Sequence, residues 1–140
     1  MEYYKIILAV LIASIFLNLF IFLRLISEKF FKVRLNLPAQ LATTPEVNFS
    51  KVVNLIAKAE IVEVILPVFF YSLTAPFLPF SGVKSGIFFA ILIFSLGALP
   101  QFVWFEESFK LPANYLMHTL LWQLLKAIFI FGTFGLILSS

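Results

Sequence analysis

IILAVLIASIFLNLFIFL, residues 6–23, contains no charged side chain, and its length approaches the about 20 apolar residues that a helix needs to cross a bilayer core. Three similar runs follow: VILPVFFYSLTAPFLPFSGV at 64–83, SGIFFAILIFSLGALPQFVWF at 85–105 and AIFIFGTFGLILSS at 127–140. The charges collect in the breaks between them. This pattern predicts an all-α integral membrane protein, a four-helix up-and-down bundle forming a single transmembrane domain over 1–140. The expected spans are roughly 5–25, 52–75, 84–105 and 112–138, with a connection at 26–51.

Composition agrees. Hydrophobic residues make up 62% of the 140 and charged residues 12%, against about 25% charged in ordinary soluble domains. Four spans leave no room for a separate soluble catalytic domain. With no cysteine and one histidine, thiol redox chemistry and zinc-thiolate or iron-sulfur sites are excluded, and no metal or other cofactor is expected. The net charge of +3 comes from basic residues flanking spans, where membrane topology explains them without nucleic acid. Lys5 before the first run resembles the start of a secretory leader. The run is longer than such leaders carry, however, and no small-residue cleavage motif follows before Arg24, so it reads as a retained span.

Lysine and arginine set the orientation. Arg24, Lys29, Lys32, Arg34 and Lys51 lie in or beside the first connection, whereas Lys5 and Lys84 mark the other side. The 26–51 connection is therefore expected in the cytoplasm, with both termini outside. Within it, Phe31, Val33, Leu35 and Leu37 alternate with Lys32, Arg34 and Asn36. That is a strand period, which predicts an extended segment lying on anionic headgroups through Lys29, Lys32 and Arg34, or an edge strand that pairs with a partner. Thr44, Pro45 and Glu46 signal a helix start. Pro76, Pro79 and Gly82 signal the end of that second helix and the turn after it.

Projected at about 100° per residue, Glu60, Glu63, Pro67, Tyr71 and Thr74 share one sector of the second helix, as Tyr115, Thr119, Gln123, Lys126 and Thr133 do on the fourth. Two polar stripes in lipid are expected to face each other or a cavity. Gly86, Ala90, Gly97 and Gln101 share a face of the third helix, a small-residue surface for close packing. Ser14 and Asn18 add polar groups near the middle of the first.

Lys126 lies mid-span, where an unpaired cation costs about 2.5–3.5 kcal/mol on insertion scales. It is expected to pair with Glu63, or with Glu60 in a shifted register. Such an intramembrane ion pair either fixes helix register or belongs to a polar path for an ion or substrate. The candidate binding or polar-path residues are Glu60, Glu63, Tyr71, Asn18, Gln101, Gln123, Lys126 and His118. His118 has no companion ligand for a metal, and its ordinary role is interfacial, with a protonation switch as the alternative. Trp104, Tyr115, Tyr3 and Tyr4 fit interfacial belts.

The chain has no aspartate for a Ser-His-Asp triad and no glycine-rich phosphate loop. A serine-lysine pair using Ser14 or Ser95 with Lys126 is the one enzymatic arrangement left, and nothing local supports an oxyanion hole. The resulting expectation is a non-enzymatic accessory or assembly subunit. Its partners are the bilayer and either another membrane protein or further copies of itself. A small oligomeric carrier or channel is the alternative, and an intramembrane enzyme using Lys126 is a third.

Overall fold

A computed structural model of the chain describes residues 3–34, 37–38 and 48–138. Among these, every regular element is helical and no strand forms. Helix α1 is Tyr3–Phe30. Helix α2 runs over 49–74 as Phe49–Glu60, a π-turn at Ile61–Ile65 and Leu66–Thr74. Helix α3 is Val83–Phe109, interrupted by a π-turn at Phe94–Ala98, and α4 is Ala113–Leu138. Helices α1, α3 and α4 are each long and apolar enough to cross a membrane, which points to a lipid environment. Helix α2 differs because Lys51, Lys58, Glu60 and Glu63 occupy its first two-thirds.

Both π-turns precede a proline. Pro67 and Pro100 lack the N–H that a helix interior requires, and their rings crowd the carbonyl one turn back. Just before each, the hydrogen bonds lengthen by one residue: Leu66 N–H reaches Ile61 O, and Leu99 N–H reaches Phe94 O. The wider turn accommodates the ring and shifts the angular register of everything beyond it.

Helix α4 is the hub. It packs most extensively against α3 and α1, and Phe134, Phe131 and Ile130 enter a core with Ala9, Ala13 and Leu17 of α1, Val64, Val68 and Tyr71 of α2, and Phe89 and Ala90 of α3. The outer surface is apolar as well, with Ile15, Phe22, Phe70, Leu96 and Leu136 all exposed. In lipid, apolar burial does not drive helices together, so close packing and interhelical hydrogen bonds hold such a bundle.

The α3–α4 contact depends on glycine. A Cβ on Gly86 would fall onto the Phe131 carbonyl, and one on Gly135 would fall onto the Gly82 carbonyl. Gly82 itself has φ +60° and ψ −147°, a conformation open to glycine alone, and turns the chain from α2 into α3. Gly97, expected on the same packing face as Gly86 and Ala90, instead has open space around it. Gly97 lies within the π-turn at Phe94–Ala98 and, with Gln101, borders an open cleft toward Ile130 and Phe131 of α4.

The strand expected from Phe31 to Leu37 is corrected over its first half. Residues 31–34 form a turn, with Lys32 left-handed at φ +49° and Val33 4% exposed. Helix α1 continues to Phe30, and its last carbonyls capture the following amides: Phe31 N–H bonds Ser27 O and Val33 N–H bonds Glu28 O. Residues 35 and 36 lie outside the described residues, as do Thr44, Pro45 and Glu46, and Leu37, the last of the alternation, turns its N–H back to Arg34 O. The described part of α2 begins at Phe49.

Candidate functional site

Glu63 and Lys126 come together as an ion pair, Lys126 Nζ against Glu63 Oε2, with side chains 33% and 15% exposed respectively. Lys126 reaches it from the middle of α4. At about 1.5 Å per residue it lies roughly 18 Å from the nearer helix end. The pair lines a cleft of about 340 Å³ between α2, α3 and α4, open on one side. Gln123, Gln101, Gly97 and Pro67 also border it, so two amides and two opposite charges converge there. Pro67 has no N–H for the Glu63 carbonyl one turn before it. The π-turn therefore opens the backbone at the residue that holds the ion pair.

Glu60 faces a different neighbour. Its Oε2 accepts from Ser14 Oγ at 2.7 Å and its Oε1 from Asn18 Nδ2 at 2.8 Å, both on α1. Asn18 Nδ2 also bonds Ser14 O at 2.9 Å. This trio sits near the midpoint of α1, roughly 17 Å from its nearer end. Glu60, Ser14, Asn18, Glu63 and Lys126 thus form one polar layer at a common level. Ser14 donates to Glu60 while Lys126 engages Glu63, so these two side chains are held by different carboxylates.

Tyr71 leaves the polar stripe altogether. It is fully buried among Phe89 and Phe134, and its hydroxyl bonds Ser85 Oγ, which in turn donates to Gly82 O at 2.7 Å. The π-turn at Ile61–Ile65 separates the residues that a uniform projection groups together. Glu60 goes to α1, Glu63 to α4 and Tyr71 to α3.

His118 lies two turns from Lys126, in a second cluster. Its Nε2 is 2.7 Å from Ser27 Oγ, and Trp122 Nε1 donates to it at 3.1 Å. The indole N–H of Trp122 also points at Ser27 Oγ, 3.3 Å away, so it finds an acceptor in either histidine tautomer. Nδ1 is buried without a hydrogen-bond partner. Among the described residues, no group of three or more histidine, cysteine or acidic side chains is placed to hold a metal.

Beside this cluster, Glu28 is 4% exposed and bridges two arginines, Arg24 Nε at 2.9 Å and Arg34 Nε at 2.7 Å. Sequence reasoning assigned Arg34 to headgroups and missed Glu28, Ser27 and Trp122. The Arg24–Glu28 spacing of one helical turn was a readable signal, whereas the return of Arg34 through the Lys32 turn was not. Arg34 clasps the first connection to α1. Arg34→Gln is expected to loosen the turn by about 1 kcal/mol, read as faster tryptic cleavage after Lys29 and Lys32 with the helix content unchanged. An unchanged cleavage rate removes the clasp.

No family description, curated protein or solved structure matches this chain.

Proposed function

We propose that this chain is a four-span integral membrane protein acting as a non-enzymatic subunit of a membrane assembly. The carrying observation is the mid-level polar layer. Helix α2 touches the midpoint of α1 through Glu60 and the midpoint of α4 through Glu63. A helix bonded to two candidate spans at their centres occupies the same slab, which supports a crossing by α2 despite its charges. Lipid-facing polar groups in that slab are expensive, and here the cleft holding Glu63 and Lys126 is not enclosed and Gln101 on its border is exposed. A neighbouring transmembrane segment is the natural cover.

The first connection, with Lys29 and Lys32 exposed on it, fits the cytoplasmic side against anionic headgroups, and both termini then lie outside. A carrier or channel is the second reading, favoured by the cleft that Glu63, Lys126, Gln101 and Gln123 line between α2, α3 and α4.

A photo-crosslinking residue placed at Gly97, where open space receives a side chain, tests the choice in native membranes. One discrete protein adduct, absent when the same residue is placed at lipid-facing Leu136, is expected. Adducts only to a second copy favour the carrier, and adducts only to lipid remove the subunit reading.

A further inference from the structure

We infer that Glu60, oriented by Ser14 and Asn18, is an intramembrane docking point for another protein's transmembrane helix carrying a lysine or arginine at mid-span. This rests on the subunit reading and names the chemistry of the neighbour.

The charge count leads to it. The polar layer contains two carboxylates, Glu60 and Glu63, and one ammonium, Lys126. Lys126 is committed to Glu63. Among the described residues Glu60 receives only the neutral donors Ser14 Oγ and Asn18 Nδ2, which fix the direction of the carboxylate but do not cancel its charge. Both donors approach from α1, and each carboxylate oxygen keeps a further lone-pair site. Asn18 is exposed, so this side of Glu60 reaches the bundle surface.

The surroundings say what kind of group reaches it. Ile15 and Ile61, next to Ser14 and Glu60 in the chain, and Phe22, one turn beyond Asn18, are 67%, 50% and 61% exposed, which sets the polar centre among exposed apolar side chains, the form of a helix-packing surface in lipid. A headgroup cation does not reach it. Ser14 and Asn18 flank the middle of α1, each roughly 17 Å from its nearer end, and so lie near the centre of a hydrocarbon core about 30 Å thick. Lys58 leaves α2 on the side away from Glu60, two residues and about 200° around the helix. A second copy docked about a two-fold axis through this groove would bring Glu60 onto Glu60, because isologous contacts pair like with like. What remains is a foreign helix whose cation arrives at the same depth.

The test uses the full-length protein in phosphatidylcholine vesicles with leucine-rich transmembrane peptides. One peptide carries a single central lysine and the other a central glutamine, and energy transfer to labelled protein reports binding. The lysine peptide is expected to bind about tenfold more tightly, equivalent to about 1.4 kcal/mol. Glu60→Gln keeps a donor and an acceptor of the same shape for Ser14 and Asn18, so the helix content should hold while the lysine preference disappears. Lys58→Gln should leave the preference intact. Equal binding of the two peptides, survival of the preference in Glu60→Gln, or displacement of the lysine peptide by excess unlabelled protein each overturns the assignment. If the Gly97 adduct forms while the peptides bind equally, only the role of Glu60 fails. If that adduct is lipid alone, the failure lies with the subunit reading itself.

Discussion

Gly86→Leu is expected to abolish the native α3–α4 contact, and Gly86→Ala to lower the midpoint of thermal unfolding sharply. The first atom that any side chain adds at this position overlaps the Phe131 carbonyl oxygen and lies against Gly132 Cα. Backbone atoms cannot rotate away as a side chain can, so the two helices must separate. Overpacking in a well-fitted interior typically costs about 1–3 kcal/mol and sometimes more, and here separation also disturbs the Phe131 and Phe134 packing. Gly135→Ala is expected to behave likewise, since its added atom meets Gly82 O and Gly86 N. Gly97→Ala is the control. It meets nothing within 4 Å and removes backbone entropy from a helix, so it should be neutral or stabilising by up to about 1 kcal/mol. Melting in mild detergent, followed by circular dichroism, separates the three. If Gly86→Ala and Gly97→Ala melt together, glycine-mediated approach is not what holds α3 to α4.

The contrast between Gly86 and Gly97 also marks how far the sequence could be read. Charge spacing and apolar run length made the helical character and the apolar spans legible, since both act through composition over many residues. Gly86 and Ala90 were legible as a packing face because an unbroken helix joins them. Gly97 was not, because it sits in the turn before Pro100 with open space beside it, and a uniform 100° step carries no record of such a turn. The same cause scattered Glu60, Glu63 and Tyr71 onto three helices. Leu-Pro at 66–67 and at 99–100 is the visible sign of both turns, but proline in a helical pattern is equally compatible with a kink or an end. The turn at Phe31–Arg34 failed differently. An alternating pattern was present, yet continuation of α1 to Phe30 claimed the amides that a strand would have left open. His118, Ser27 and Trp122 meet across helices far apart in sequence, and no local spacing announces such a meeting.

Lys126→Met in the otherwise intact chain is expected to destabilise the bundle by about 3 kcal/mol, and the double variant Glu63→Gln with Lys126→Met to recover most of that loss. Removing the ammonium strands the Glu63 carboxylate in a cleft at the middle of α4, and an unpaired charge at that depth carries a cost of about 2.5–3.5 kcal/mol. Breaking a largely buried pair from one side is correspondingly more damaging than replacing both members with neutral groups of similar volume. Glu63 is 33% exposed, which keeps the expected loss at the lower end of that seen for enclosed pairs. The cycle formed by the two single variants and the double isolates the coupling, and unfolding midpoints in detergent supply all four corners. A coupling of at least about 2 kcal/mol identifies the pair as a fastener between α2 and α4, with Gln101 and Gln123 left to meet a neighbour. Additive single effects, with the double variant as unstable as their sum, mean that Lys126 and Glu63 act on separate partners. The same four proteins then bear on the carrier reading, because a transport path loses flux in both single variants and in the double, whereas a fastener returns stability and assembly together in the double.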